Sequence, residues 1–484
     1  MTAGGTTTDG PQSGQPEPAA GADVAVPRVL LEHSGGRRLK AALFVWVCGA
    51  AGMAPHWLPP SRGVIPAVML AVVLGGYAIR TVLLESWARL RQSPHPSTSP
   101  PADSTLASWP LVDIVVAARD EQAVIVRLVE RIGKVRYPEG RLTLWVIDDG
   151  SEDRTPELLA ELQSRWTMLR VLRRPRDAGG GKSGALNLVL QQLQGTWLLV
   201  LDADAGLPAD GLERLLPMAE AGGWAAVQLR KAVVNSTANW LTRAQAMEMA
   251  FDATIQESRL AVGGITELRG NGQLLRRDAV LACGGFNEAT VTDDLDLSFR
   301  LLLLDQPIGV LWDPPVVEEA VLSLAALWRQ RQRWAEGGLQ RYFDYWPGLV
   351  SGPLSTRQKL DLGCFFVLQY AMPVMAAADL IGVLLTATPP LMWPVSIVAL
   401  GLSGLAIGLG CSRPVEGPPL PVITPVTMGW AIVYLMHWFV VIPWVSLRMA
   451  LLPKRLIWAK TQHVGVADDP LEADPELAAG GGQA

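Results

Sequence analysis

The chain has 484 residues, of which 49% are hydrophobic and only 18% charged, and its formal net charge is −5. That length allows about three domains, and the apolar residues crowd towards the two ends, so the chain reads as a membrane protein with a water-soluble middle. The acidic balance, with no basic tract interleaved with aromatics, argues against nucleic acid as a partner, and Cys48, Cys283, Cys364 and Cys411 have neither disulfide-framework nor zinc-site spacing.

Residues 1–36 are rich in Gly, Thr, Pro and Ala and too poor in large apolar residues to offset the entropy of folding, so a disordered tail is expected. Two apolar runs follow, 41–58 and 64–84, each near the roughly 20 residues that a spanning helix needs. Arg37, Arg38 and Lys40 flank the first on the same side as the arginines of 80–91 flank the second. Residues 37–91 therefore read as a transmembrane hairpin with both flanks in the cytoplasm, and the second run argues against a cleaved signal peptide. Pro94, Pro96, Pro100, Pro101 and Pro110 make 92–110 a linker.

From residue 111 onwards, strand-like runs at 111–118, 142–147, 170–172, 196–201 and 224–234 alternate with helical spacing, as at 121–135 and 183–194. Strand, helix, strand is the repeating unit of a parallel α/β sheet, expected over 111–320 with helices on both faces. Polar residues gather at the strand ends, where open sheets bind ligands. These are Arg119-Asp120-Glu121, Asp148-Asp149-Gly150-Ser151 and Asp202-Ala203-Asp204. The last can give a hard cation two oxygens, waters and phosphates completing the shell; a solvated acidic turn is the alternative. A calcium-loop reading, with Glu213 twelfth from Asp202, fails at the sixth position, where Leu207 stands instead of glycine. The Gly179-Gly180-Gly181-Lys182-Ser183 loop offers Lys182 and helix-start amides to phosphate. It lacks the first glycine of a P-loop, Arg176 occupying that position.

Three polar constellations follow the sheet. The glycines of Glu267-Leu268-Arg269-Gly270-Asn271-Gly272-Gln273 would let backbone approach a ligand. Thr292-Asp293-Asp294-Leu295-Asp296 opens a helix, where acids also serve as caps. Gln330, Arg333 and Trp334 sit on an amphipathic helix, 321–350, whose Trp328, Trp334, Tyr342, Tyr345 and Trp346 suit a membrane interface. A membrane region over 351–447 then holds three apolar runs, 362–385, 391–410 and 422–447, before a basic and then disordered tail, 448–484. Three crossings would carry Arg448, Lys454, Arg455 and Lys460 to the outside, against the positive-inside rule. One run is thus expected not to cross. The candidate is 362–385, because Pro373 interrupts it and Asp379 would cost about 2.5–3.5 kcal/mol at mid-span.

In this order, the acid of Asp148-Asp149, the Asp202 and Asp204 pair, the Thr292-Asp293-Asp294 triplet and the Gln330, Arg333, Trp334 spacing resemble the motifs of the membrane-embedded family-2 inverting glycosyltransferases, which include cellulose and hyaluronan synthases. The middle residue of that triplet is usually Glu in the family and is Asp293 here. A narrower resemblance, through Gly181-Lys182, Gln228 to Lys231, the 267–273 stretch, Glu336-Gly337-Gly338 and the 454–463 tail, is to members that glucosylate diacylglycerol. The resemblance implies a GT-A, Rossmann-like α/β fold inserted between transmembrane helices. It implies an integral membrane enzyme with its catalytic domain on the cytoplasmic face, at the thylakoid or plasma membrane in a cyanobacterium. The implied reaction transfers glucose from UDP-glucose to 1,2-diacylglycerol with Mg²⁺, or Mn²⁺, as cofactor. By the same resemblance Asp202 and Asp204 hold the metal, Asp148 and Asp149 the uracil and ribose, and Lys182 and Arg333 add charge beside the diphosphate. Asp294 takes the acceptor's proton, and Gln330 and Trp334 line the acceptor end. A processive polysaccharide synthase is the rival reading, but the apolar C-terminal runs offer little to line a polar channel. A non-catalytic nucleotide-binding membrane protein would not need the full set of residues.

Overall fold

The computed structural model describes residues 36–84, 108–452 and Gly465. The N-terminal tail, most of the linker and the 454–463 stretch lie outside the described residues. Seven strands form one sheet: β1 (Val112–Ala118), β2 (Leu142–Asp148), β3 (Leu169–Arg173), β4 (Trp197–Leu201), β5 (Ala226–Val233), β6 (Gln273–Arg276) and β7 (Ile308–Glu318). Their order is β3-β2-β1-β4-β6-β5-β7.

Central β1 pairs in parallel with β2 and β4, Val112 lying opposite Leu142 and Trp197. All seven of its residues are buried, because helices cover both faces, and such a strand reads as continuously apolar rather than alternating. Alternation survives in where the side chains go. Ile114, Val116, Leu199 and Leu201 meet Leu128 and Leu215 on one face, while Val115, Leu198 and Val200 meet Leu186 and Val189 on the other.

The sheet is mixed, which corrects the expectation of an all-parallel one. β6 runs antiparallel to both β4 and β5. It follows Gly270 and Gly272, whose positive φ values of 91° and 75° bring the chain back with the reversed direction that a non-glycine residue adopts at a cost. At four residues β6 is too short to show a period, and in sequence it starts only at the last residue of the polar 267–273 stretch.

Five described helices are long and apolar enough to cross a membrane: Arg37–Trp57, Pro60–Val82, Thr356–Thr386, Trp393–Cys411 and Pro425–Leu451. Large apolar side chains such as Trp46, Val72 and Leu384 stand exposed on them, as lipid-facing residues do. The first helix starts against the sheet domain, where Lys40 Nζ donates to the Phe343 carbonyl at 2.6 Å. At its far end His56 Nε2 lies 2.9 Å from Asp379 Oδ1.

The third helix begins at that same near level, Asp361 accepting from Tyr77 at 2.7 Å, and reaches His56 with Asp379. It therefore runs beside the first helix through the same depth, with Gly52 packed directly on the Met375 carbonyl. By length and composition this helix is a candidate span, against the expectation that 362–385 stays out of the crossing set. Asp379 is only 3% exposed and also accepts from the Leu391 N–H at 2.8 Å, so protein partners, not lipid, surround it. The fourth helix returns, its Gly410 fitting against Ala250 and Thr254 of the sheet domain.

The segment that doubles back is the fifth. It is two helices, Pro425–Leu435 and Trp438–Leu451, each shorter than a spanning helix. Near its start, the Trp430 and Trp240 rings are 5.9 Å apart; near its end, Arg448 donates to Gln332 at 3.0 Å and the Ala450 carbonyl accepts from Arg38 at 3.0 Å. Both ends lie on the sheet-domain side, an arrangement in which four crossings and one re-entrant hairpin would reconcile the basic residue Arg448 with the positive-inside rule. In a variant lacking the native cysteines, Ser61→Cys and Pro389→Cys should react with an impermeant thiol reagent from one side and Leu452→Cys from the other. Leu452→Cys labelling together with Ser61→Cys would overturn the hairpin and restore a fifth crossing.

Candidate functional site

A cavity of about 350 Å³ opens at the carboxyl ends of β1, β4, β5 and β7. Lys182, Asp202, Asp204, Asp294, Gln330, Arg333 and Trp334 all line it. Strand β4 ends in a tight turn that aims both acids of the Asp202 and Asp204 pair inward. Lys182 Nζ donates to Asp202 Oδ1 at 2.6 Å, and the Asp202 N–H donates to Asn271 Oδ1 at 3.1 Å. Asp204 is buried, its Oδ2 accepting from the Glu319 N–H at 2.7 Å. Behind the turn Gly206 bridges to Val317, and a Cβ there would meet the Arg131 side chain at 2.9 Å.

Lys182 stands in the first turn of the Gly181–Leu190 helix. The preceding loop takes positive φ at Gly179, Gly180 and Gly181, so the chain turns tightly at the helix start. Burial alone would depress the Lys182 ammonium, yet Asp202, Asp293 and Asp294 outweigh it and hold the pKa above the usual lysine range. Arg333 goes the other way: burial lowers its pKa although Asp202, Asp294 and Asp293 oppose the shift.

The Thr292-Asp293-Asp294 triplet opens the Asp293–Leu303 helix, which has Asp293, Asp294 and Asp296 in its first turn. The positive end of the helix favours carboxylates there. Asp296 belongs to the fold rather than the cavity, since Arg300 Nε donates to its Oδ2 at 2.7 Å while Asn287 and Tyr345 donate to its Oδ1 at 2.8 and 2.9 Å. Burial, and next the neighbouring charge of Asp293, push the Asp294 carboxyl up to about 6. Gly270 approaches it closely, a Cβ there lying 3.6 Å from Asp294 Oδ2.

Gln330, Arg333 and Trp334 come from the Leu324–Ser351 helix, whose Ser323 caps the Ala326 N–H. Gly337 brings this helix against the triplet, because any Cβ would strike the Thr292 side chain. Arg331 is not itself a lining residue; it donates to Glu248 and Tyr434 and stacks 3.9 Å from the Trp334 ring, with Lys231 5.1 Å from the same ring.

Asp148 and Asp149 are not among the lining residues. They lie one strand over, buried, where Arg173 pairs with Asp148 at 3.2 Å and Arg174 and Arg119 pair with Asp149. Sequence reasoning missed other lining residues, among them Glu248, Glu318, Glu319, Gln369 and Trp438. Glu318 and Glu319 close a strand that no period revealed. Gln369 could have been noticed as a polar residue in an apolar run.

A divalent ion fits the donor set in one way. Among the described residues no cluster of three or more His, Cys, Asp or Glu could hold a metal by itself. Asp202 and Asp204 offer two carboxylates, suited to an ion that completes its shell with water and substrate phosphate.

The family model for "Glycosyltransferase like family 2" matches residues 110–337. Beta-monoglucosyldiacylglycerol synthase of Synechocystis sp. is 45% identical over 386 residues, covering 78% of this chain and 80% of that one. The chain is a family-2 glycosyltransferase. A Nostoc sp. protein of the same name is 41% identical to this glycosyltransferase over 438 residues, 90% of each chain. Among solved structures, the mannosyltransferase PcManGT from Pyrobaculum calidifontis, in complex with GDP-Man and Mn²⁺, superposes with a TM-score of 0.55 at 18% identity. It covers 80% of this chain and 99% of that one, which shows the shared GT-A architecture.

For the glycosyltransferase, any step that needs the Asp294 carboxylate ionised should fail as pH falls through about 6, the sign expected of a base. The acid limb of kcat/KM should therefore lie near that value. Asp294→Asn should lower turnover by ~10²–10⁴ and leave UDP binding intact. Near-normal turnover in that variant would move the role to Asp293, since Asp296 is fully engaged.

Proposed function

We propose that the enzyme transfers glucose from UDP-glucose to the free hydroxyl of 1,2-diacylglycerol, inverting the anomeric carbon to give a β-glucolipid. The observation that carries this reading is the change of character along one cavity. Its inner end has Lys182, Asp202 and Asp204, suited to an anionic diphosphate; its other end has Phe251, Tyr370 and Trp438 from helices at the membrane. The names of the relatives 41–45% identical to this chain point the same way.

In this mechanism Asp294 accepts the proton of the diacylglycerol hydroxyl as its oxygen attacks the anomeric carbon. Attack comes from the face opposite the departing UDP, so the α-linked donor yields a β product. Lys182 and Arg333 stand as fixed charge beside the leaving diphosphate. Asp202 and Asp204 would hold Mg²⁺ or Mn²⁺, which when bound supplies Lewis acidity to the leaving oxygens. Asp148 and Asp149 are assigned to the nucleoside end, next to the β1 terminus, and Gln330 and Trp334 to the acceptor end. The catalytic domain lies in the cytoplasm, where UDP-sugars are made.

Purified enzyme in mixed micelles with UDP-glucose, diacylglycerol and Mg²⁺ should make a monoglucosyl lipid whose anomeric proton coupling is that of a β-glucoside. A chelator should abolish the product, and Mg²⁺ or Mn²⁺ should restore it. Asp204→Ala should weaken metal-dependent UDP binding in calorimetry. A water-soluble polymer as the only product would hand the assignment to a polysaccharide synthase, and preference for UDP-galactose would remove the donor assignment.

A further inference from the structure

One polar side chain at the membrane end of the cavity takes no part in the chemistry above. The Thr356–Phe366 helix passes into Met372–Thr386 through a π-helical turn, Val367–Ala371. Both Gln369 and Tyr370 of this turn line the cavity that holds Asp294 and Gln330. Successive residues of a regular helix point about 100° apart, and the widened turn helps one wall to use both. Such turns within helices are frequent at functional sites.

The turn is held rigidly. Tyr370 is buried, its ring 5.7 Å from Tyr342 and 5.8 Å from Phe366. Its hydroxyl fills the space over Gly338 that any Cβ would need. Gln369, fixed beside it, has a buried Oε1 with no hydrogen-bond partner. One donor of the cavity wall is engaged elsewhere, Trp438 Nε1 donating to Glu248 at 3.2 Å. A buried amide oxygen left unpaired is unfavourable and is relieved by a ligand that can donate.

We propose that Gln369 is a positioning residue for the acceptor, an inference that rests on the lipid-acceptor reading. A carboxamide offers one acceptor and one donor group. The polar end of a diacylglycerol offers the complement, a hydroxyl that donates and ester carbonyls that accept. Gln369 Oε1 accepts from the waiting hydroxyl and Nε2 donates to a neighbouring ester carbonyl. When the hydroxyl oxygen attacks, its proton passes to Asp294 and the bond to Oε1 is given up. The Gln369 contact therefore belongs chiefly to the ground-state complex, so its loss should appear in acceptor KM rather than in kcat.

The test is steady-state kinetics in mixed micelles at varied mole fraction of diacylglycerol, with UDP binding measured by calorimetry as the donor-side control. Gln369→Met, similar in length and uncharged, should raise acceptor KM about tenfold, the loss of one or two hydrogen bonds, with kcat and UDP affinity little changed. Gln369→Asn should recover part of the loss, and Gln369→Leu serves if the Met variant does not fold. Unchanged acceptor KM in an active Met or Leu variant overturns the inference alone. A parallel fall in UDP affinity and kcat also overturns it, since that marks a structural role. Wild-type enzyme that binds UDP but never glucosylates diacylglycerol overturns the lipid-acceptor reading, and this inference with it.

Discussion

Arg259, on the Trp240–Ala261 helix of the sheet domain, donates to Asp361 at 2.7 Å, and the same carboxylate accepts from Tyr77 at 2.7 Å and from the Ile265 N–H at 2.9 Å. One buried carboxylate thus ties the sheet domain to the second and third membrane helices. Arg331 with Glu248 and Tyr434, and Arg37 with Asp344, repeat the device for the re-entrant hairpin and the first helix. Removing one partner of such a buried pair costs about 3–5 kcal/mol, whereas replacing both by well-packed apolar groups is often neutral. The function of these pairs is therefore better sought in geometry than in stability. They set the height and rotation of the sheet domain over the membrane, and with it the join between the two ends of the cavity.

Inside the cavity the balance of charge decides what can enter. Ten carboxylates, Asp202, Asp204, Asp293, Asp294 and Glu318 among them, line the same space as the four cations Lys182, Lys231, Arg269 and Arg333. Burial, and next the adjacent carboxylate of Asp293 at the same helix start, raise the Asp294 carboxyl to about 6 even with Lys182 and Arg269 acting to lower it. On the proposed mechanism this is useful: a carboxylate of ordinary acidity is a weak base for an alcohol, and raising its pKa towards the working pH strengthens it. A divalent ion brings positive charge to the Asp202 and Asp204 side, and the donor's diphosphate then balances it. The acids nearest β4 and those at the helix start thus serve different partners although one cavity contains both.

The sequence made the strand ends legible because a central parallel strand is apolar throughout and its first polar residues announce the rim. Lys182, Asp202, Asp204 and Asp294 could be singled out on that ground or by resemblance. Glu319 could not, because its contribution to Asp204 is a backbone N–H, which no residue type encodes. Asp148 and Asp149 show the converse. They occupy the expected strand end, yet three arginines take up their oxygens, and only the fold reveals that competition. In the membrane region, the sequence marks 362–385 as the run not expected to cross, whereas the folded chain gives that run protein partners and doubles back at 425–451. Pro373 and Asp379 look disruptive in one dimension, and His56, supplied from 323 residues away, removes the difficulty. The true break at Met436 and His437 has no charge or glycine to mark it.

That break matters for the acceptor end. A straight helix over 425–451 would carry Trp438 through the bilayer and away from the sheet domain. Turning at 436–437 instead lets Tyr434 reach Glu248 at 2.7 Å and Trp438 line the cavity, then brings Arg448 back to Gln332. The hairpin, the π-helical turn and the Leu324–Ser351 helix together make a wall that is apolar outside and sparingly polar inside. A polysaccharide leaving such a site would need a continuous hydrated path, and unpaired polar groups along it would be unfavourable in lipid. A lipid acceptor makes no such demand, because its chains remain in the bilayer before, during and after transfer while only the glycerol end visits the protein. The architecture asks for one lateral opening at the interface rather than a channel, and a re-entrant segment that never reaches the far side is compatible with the first and of little use to the second.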